Sequence, residues 1–99
     1  MHNTLIDYYR ALEAASVSML EAAKAADWDG VVRMEGTCAV LIEQLRFASS
    51  TQELPAEQRA EKAGIMRRIL ANDAQIRYLA EPWMAHFEKK LEGLQNMVH

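Results

Sequence analysis

A single cysteine, two prolines and four glycines among 99 residues leave few ways to punctuate this chain. Cys38 has no second cysteine to pair with, so no internal disulfide can form and a reducing compartment is the default. Scarce proline and glycine, set against abundant Ala, Leu, Glu and Met, is the composition of helices joined by few loops. No apolar run approaches the roughly 18 residues that a membrane-spanning helix needs. The opening Met1-His2-Asn3-Thr4 has no basic stretch followed by an apolar block. No signal peptide is therefore expected, and the chain should remain in the cytoplasm. Excess positive charge is missing too: the formal net charge is −3, which favours neither nucleic acid nor an anionic membrane. There is no glycine-rich phosphate loop, so nucleotide binding has no support. The three histidines, His2, His86 and His99, form neither a His-Glu-x-x-His nor a Glu-x-x-His pair, so no metal is expected. With no cofactor motif and no catalytic set, an enzyme ranks last among the readings.

What is present is a chain 51% hydrophobic and 25% charged, which suits one folded domain over residues 1–99. It is organised around its last part. From Pro55 to Val98 the apolar residues Ile65, Ile69, Ile76, Leu79, Trp83, Phe87, Leu91, Leu94 and Val98 recur at steps of three, four and seven. That is one stripe of one long helix, roughly 60 Å at 1.5 Å per residue. Pro82 falls inside it and should kink or break the helix near residues 78 to 82. The stripe keeps phase across the proline, which favours a kinked continuous helix over a fourth short helix from Pro82 to Val98. Two shorter helices precede it. The first starts near Asn3 or Thr4, with Asp7 three residues on as a capping signal. Its seam is Leu5, Tyr8, Leu12, Ala15, Met19, Ala22 and Ala26. Asp27 is an N-cap for a second helix, Trp28 to Ser49, whose stripe is Val31, Met34, Cys38, Leu41, Ile42, Leu45 and Ala48. Gly36 inside it costs about 1 kcal/mol relative to Ala and suggests a point of close packing. Polar residues 49 to 53, then Leu54 and Pro55, make a turn into the third helix. The expected fold is all-α: an antiparallel three-helix bundle with a long third helix. Two helices of about 22 residues reach only about 33 Å. They cannot shelter the whole apolar flank of the third, so the protein should work by binding.

Several residues invite a chemical reading and a plainer one. Cys38, on the helix-two seam, has no His or Lys nearby in sequence and reads as a small buried hydrophobe. Glu35 lies beside the helix-two stripe, and Asn72-Asp73 interrupt that of helix three. These could be an acid–base pair but more often fix register or edge an interface. Arg59, Lys62, Arg67 and Arg68, and further on Lys89 and Lys90, read as solvated helix faces or as steering charges for an acidic partner. Tyr78, Trp83, Met84, Phe87 and Met97 crowd the last third. Such residues are enriched in interface cores, and they would equally fill the bundle itself or a homodimer seam.

Two stretches resemble the flagellar export chaperone family FliT. One is the hairpin Met19 to Asp29, where an apolar helix end runs into Asp27-Trp28-Asp29, like the family's Glu-Trp-Asp turn. The other is Ile69-Leu70-Ala71-Asn72-Asp73-Ala74-Gln75-Ile76, like the family's Leu-Asp-Asn-Glu-Gln-Leu segment. The three-helix layout carries the resemblance over nearly the whole chain. It implies a cytoplasmic, non-enzymatic helical chaperone whose client is the flagellar filament cap protein, held before type III export. It also implies contacts with export ATPase components. In some members it implies binding of the flagellar master transcription activator, with repression of transcription. The family holds a client helix in a groove lined by the second and third helices. The matching positions are Met34, Cys38 and Leu41 with Met66, Ile69, Leu70, Asp73 and Arg77, and Trp83 and Phe87 extend the same surface. Some members carry a further C-terminal helix over this groove. The chain stops at His99, where that helix would start, so the groove is expected to be open unless a dimer hides it.

The reading is therefore a flagellar export chaperone that buries an amphipathic segment of the cap protein between helices two and three. This prevents premature assembly and aids delivery to the export apparatus. The rivals are an anti-activator that binds the flagellar master transcription factor and a client-free helical homodimer.

Overall fold

The computed structural model describes the backbone of residues 4–98 and the side chains of residues 4–82, Lys89 and Gly93. Three helices follow one another: α1 (Leu5–Lys24), α2 (Trp28–Ser49) and α3 (Ala56–Val98). Their lengths are 20, 22 and 43 residues.

The helix starts are set locally. The Asp7 carboxylate accepts hydrogen bonds from the backbone N–H of Thr4 (3.1 Å) and from its hydroxyl (2.9 Å). Those bonds, the Thr4 hydroxyl first, hold the Asp7 carboxyl below its ordinary value. Across the fold, the side-chain carbonyl of Gln52 accepts the free N–H of Leu5 at 3.1 Å, so the α2–α3 connection caps α1. The first turn is tighter than the sequence suggests. α1 ends at Lys24, and Ala26, read from sequence as part of its seam, is an exposed turn residue with φ 57°. The Asp27 N–H reaches back to the Ala22 carbonyl at 2.8 Å and the Ala26 N–H to the Ala23 carbonyl at 3.1 Å. This closes α1 through a left-handed residue, a position that glycine usually fills. Asp27 then opens α2, its side chain accepting the Gly30 N–H at 3.0 Å. Glycine suits position 30, because a Cβ there would collide with the capping Asp27 carboxylate and sit 3.2 Å from the Ala22 methyl.

α1 is the centre of the molecule. It packs on both α2 and α3, whereas among the described residues no Cα of α2 comes within 8 Å of one of α3. Its buried face is correspondingly wider than one seam. Ile6, Tyr9, Ser16, Leu20 and Ala23 are buried beside Leu5, Leu12, Ala15 and Met19. At 100° per residue these positions cover roughly half the helix circumference. Tyr8 and Ala22, placed on the seam from sequence, are only half-buried. A helix with two neighbours buries two stripes.

Two clusters make the core. At the chain's starting end, Leu5, Ile6 and Tyr9 of α1 meet Ala48 of α2 and Ile65 of α3. At the other end, Met19, Leu20 and Ala23 meet Val31 and Ile76. Polar pairs fix how α3 lies on α1. Arg10 donates two bonds to Glu61 (2.7 and 2.9 Å), Arg68 donates two to Glu13 (2.5 and 3.1 Å), and the Asn72 amide donates to Ser16 Oγ at 3.1 Å. Partners rise together in sequence on both helices, so α1 and α3 run parallel, with α2 antiparallel to both. These arginines hold the Glu61 and Glu13 carboxyls below their ordinary range by hydrogen bonding first. The pairs are largely exposed and contribute register more than stability. Asn72 therefore has the register role that its place in an apolar stripe suggests.

α3 is one continuous helix through Pro82, as its unbroken phase predicts, and no separate fourth helix forms among the described residues. Lys24, the last residue of α1, shares a shallow cleft with Ala74, Gln75, Tyr78 and Leu79. α3 thus continues past the end of α1 for roughly 28 Å.

Gly36 overturns an expectation. It is exposed, and a Cβ there would meet nothing within 4 Å. Close packing is not its role. Gly36→Ala should raise stability by about 1 kcal/mol through helix propensity. A higher urea midpoint with an unchanged slope would register it; an unchanged midpoint would mean that another group covers this face.

Candidate functional site: the groove over helix one

Because α2 and α3 stand apart, a groove of about 770 Å³ opens between them over α1. Its floor is Tyr9, Leu12, Ser16 and Met19 of α1. The α2 wall is Glu35, Cys38, Ala39, Ile42 and Leu45. The α3 wall is Lys62, Met66, Ile69, Leu70, Asp73 and Ile76. The walls follow from helix phase: 62, 66, 69, 73 and 76 are steps of four and three along one face of α3, and 35, 38, 42 and 45 do the same on α2.

The lining is mostly apolar and partly open to water. Leu70 is 63% exposed and Ile42 is 42% exposed, although both lie along an otherwise coherent apolar face. The few polar groups are spaced along it. Lys62 sits with its ammonium 5.3 Å from the centre of the Tyr9 ring, a cation–π contact at the Tyr9 end. Asp73 stands three turns further along α3 and pairs with Arg77 at 2.9 Å on the exposed side. Ser16 is buried and satisfied, donating to the Glu13 carbonyl at 2.7 Å while accepting from Asn72.

Five of the ten residues singled out from sequence line this groove: Cys38, Met66, Ile69, Leu70 and Asp73. Met34 does not. It is half-buried against the Val31–Ile76 cluster and takes no part in the groove lining. Leu41 is half-buried away from the lining, and its neighbour Ile42 takes the wall position instead. One residue along a helix is a 100° rotation, and at Leu41 that step carries the side chain off the wall. Arg77 is exposed on the rim, reaching the site only through Asp73. The side chains of Trp83 and Phe87 lie outside the described residues. Sequence reasoning missed the whole α1 floor, as well as Ala39, Ile42 and Leu45 as wall residues and Lys62 as a groove charge.

Burial, and next the charge of Glu35, push the Cys38 thiol up, so it keeps its proton at neutral pH and lacks nucleophilic character. Among the described residues no group of three His, Cys, Asp or Glu side chains could hold a metal ion. Nor, among them, is any helix long and apolar enough to cross a membrane.

Comparison with known proteins adds one match. The family model described as "Flagellar protein FliT" matches residues 6–97. No curated protein and no solved structure matches the chain significantly.

Proposed function

The chain belongs to the FliT family of flagellar export chaperones, and from that premise we propose that it holds an amphipathic helical segment of the flagellar filament cap protein in the groove over α1. The single observation that carries this reading is the open apolar groove itself, with Leu70 and Ile42 partly in water on opposite walls. A helix laid there gains about 25 cal/mol for each Å² of apolar surface removed from water. Part of that gain is offset by ordering the client. The net affinity is therefore reversible, as a carrier that must release its cargo requires. While bound, the segment cannot pair with other subunits, which prevents premature assembly. The residues assigned to the contact are Cys38, Ile42, Met66, Ile69, Leu70 and Asp73, with Trp83 and Phe87 as an extension along α3. The protein acts in the cytoplasm without catalysis and delivers its client to export ATPase components.

Co-expression with the cap protein, with a cap protein lacking its C-terminal segment, and with the master transcription activator tests this. The expected result is a stable complex with the intact cap protein, seen by light scattering, and none with the shortened one. Capture of the activator alone would make the protein an anti-activator. A homodimer that ignores all three would remove the chaperone reading.

A further inference from the structure

We propose that the groove selects its helix by charge placement as well as by apolar surface. It takes an amphipathic partner helix with a basic and an acidic side chain eleven residues apart, the base at the Glu35–Asp73 end and the acid at the Lys62 end. This rests on the groove being the client site.

Three charged residues line the groove, and they are sorted by sign along its length. Lys62 lies at the end floored by Tyr9, close to Met66 in the first core cluster. Glu35 and Asp73 lie towards the other end, where Cys38 and Met34 join the second cluster around Met19 and Ile76. Among the described residues Lys62 and Glu35 have no ion-pair partner, whereas the other groove carboxylate, Asp73, has Arg77. Lys62 meets the face of the Tyr9 ring and Glu35 stands near Cys38, but neither charge is neutralised by an opposite one within the fold, which leaves both able to pair with a guest. Arg77 softens Asp73 but leaves its end acidic, because Glu35 stands on the opposite wall and the Asp73–Arg77 pair is itself exposed.

The spacing suits a helix. Lys62 and Asp73 are eleven residues apart on α3, about three turns and about 16 Å. Two side chains eleven residues apart on a partner helix also return to nearly the same face, so both can flank one apolar stripe. A partner with this pattern meets opposite charges at both ends. The same helix laid in the opposite direction sets like charges together, so the charges fix its direction in the groove.

The test uses the full chain and a synthetic amphipathic peptide of about 18 residues, or five turns. The peptide has one lysine near its amino end, one glutamate eleven residues later and a nitroxide on the amino end. The nitroxide should broaden the methyl signal of Met19 more than that of Met66. Replacing the two peptide charges with glutamine should weaken binding by about three- to ten-fold, the range expected for two partly exposed ion pairs. The protein variant E35Q/K62Q should bind the charged and glutamine peptides more nearly alike than the wild type does. Broadening of Met66 instead of Met19 overturns the proposal. So does equal affinity for charged and glutamine peptides; in both cases the groove stands as a binding site. If neither peptide binds the wild-type chain, the groove reading falls and this inference with it.

Discussion

Leu70→Asp should leave the helical circular dichroism spectrum intact and weaken capture of the cap-protein segment by about thirty-fold or more, equivalent to roughly 2 kcal/mol. Leu70 is 63% exposed on the α3 wall of the groove, so the free protein loses little packing when it is replaced. The aspartate itself costs only about 0.5 kcal/mol in a helix. In the complex the same side chain would be covered, and an uncompensated carboxylate covered by an apolar helix is expensive. It would also lie one turn from Asp73, adding repulsion between like charges. The matched control is Phe47→Asp. Phe47 is 78% exposed on α2 and does not line the groove, so its loss should leave binding unchanged. Titration calorimetry on both variants gives the answer. If Leu70→Asp binds like wild type, the client does not lie on this wall.

A second large effect is expected at the other extreme of burial. Ile65→Ala should destabilise the protein by about 3 kcal/mol, within the usual range for a buried isoleucine cut to alanine. Ile65 is 1% exposed, and it closes a cluster that draws Leu5, Ile6 and Tyr9 from α1 and Ala48 from α2. Removing its outer atoms leaves a cavity where all three helices meet. For a domain of this size the melting temperature should fall by on the order of 15 °C. A shift of only a degree or two in thermal denaturation would mean that the starting end of the bundle is loosely packed, contrary to the contacts described. The two variants separate cleanly: one removes the guest and spares the host, and the other weakens the host itself.

These contrasts mark what could be read in advance. Helix boundaries were legible because their causes are local. Thr4 with Asp7, Asp27 before Trp28, and Pro55 before Ala56 each act within one turn. The continuity of α3 through Pro82 was legible too, since the apolar stripe keeps its phase on both sides. Five of the fifteen residues that line the groove were singled out, through the apolar face of α3 and through Cys38. Met34 and Leu41 were misplaced, and the floor was absent, for one reason. A stripe reports which side of a helix avoids water, but it does not report how many neighbours share that side.

By itself the sequence determined three helices, their caps and an apolar flank on a third helix about twice as long as the others, because hydrogen bonding and amphipathic period act between residues a few positions apart. Only the tertiary structure decided that α1 is the middle helix and that α2 and α3 stay apart. It also decided that Ser16 and Asn72 lock the register while Tyr9, Leu12 and Met19 floor the cleft. Those outcomes depend on side chains some fifty positions apart in the chain meeting across α1, such as Arg10 with Glu61 and Glu13 with Arg68. No local pattern encodes such meetings.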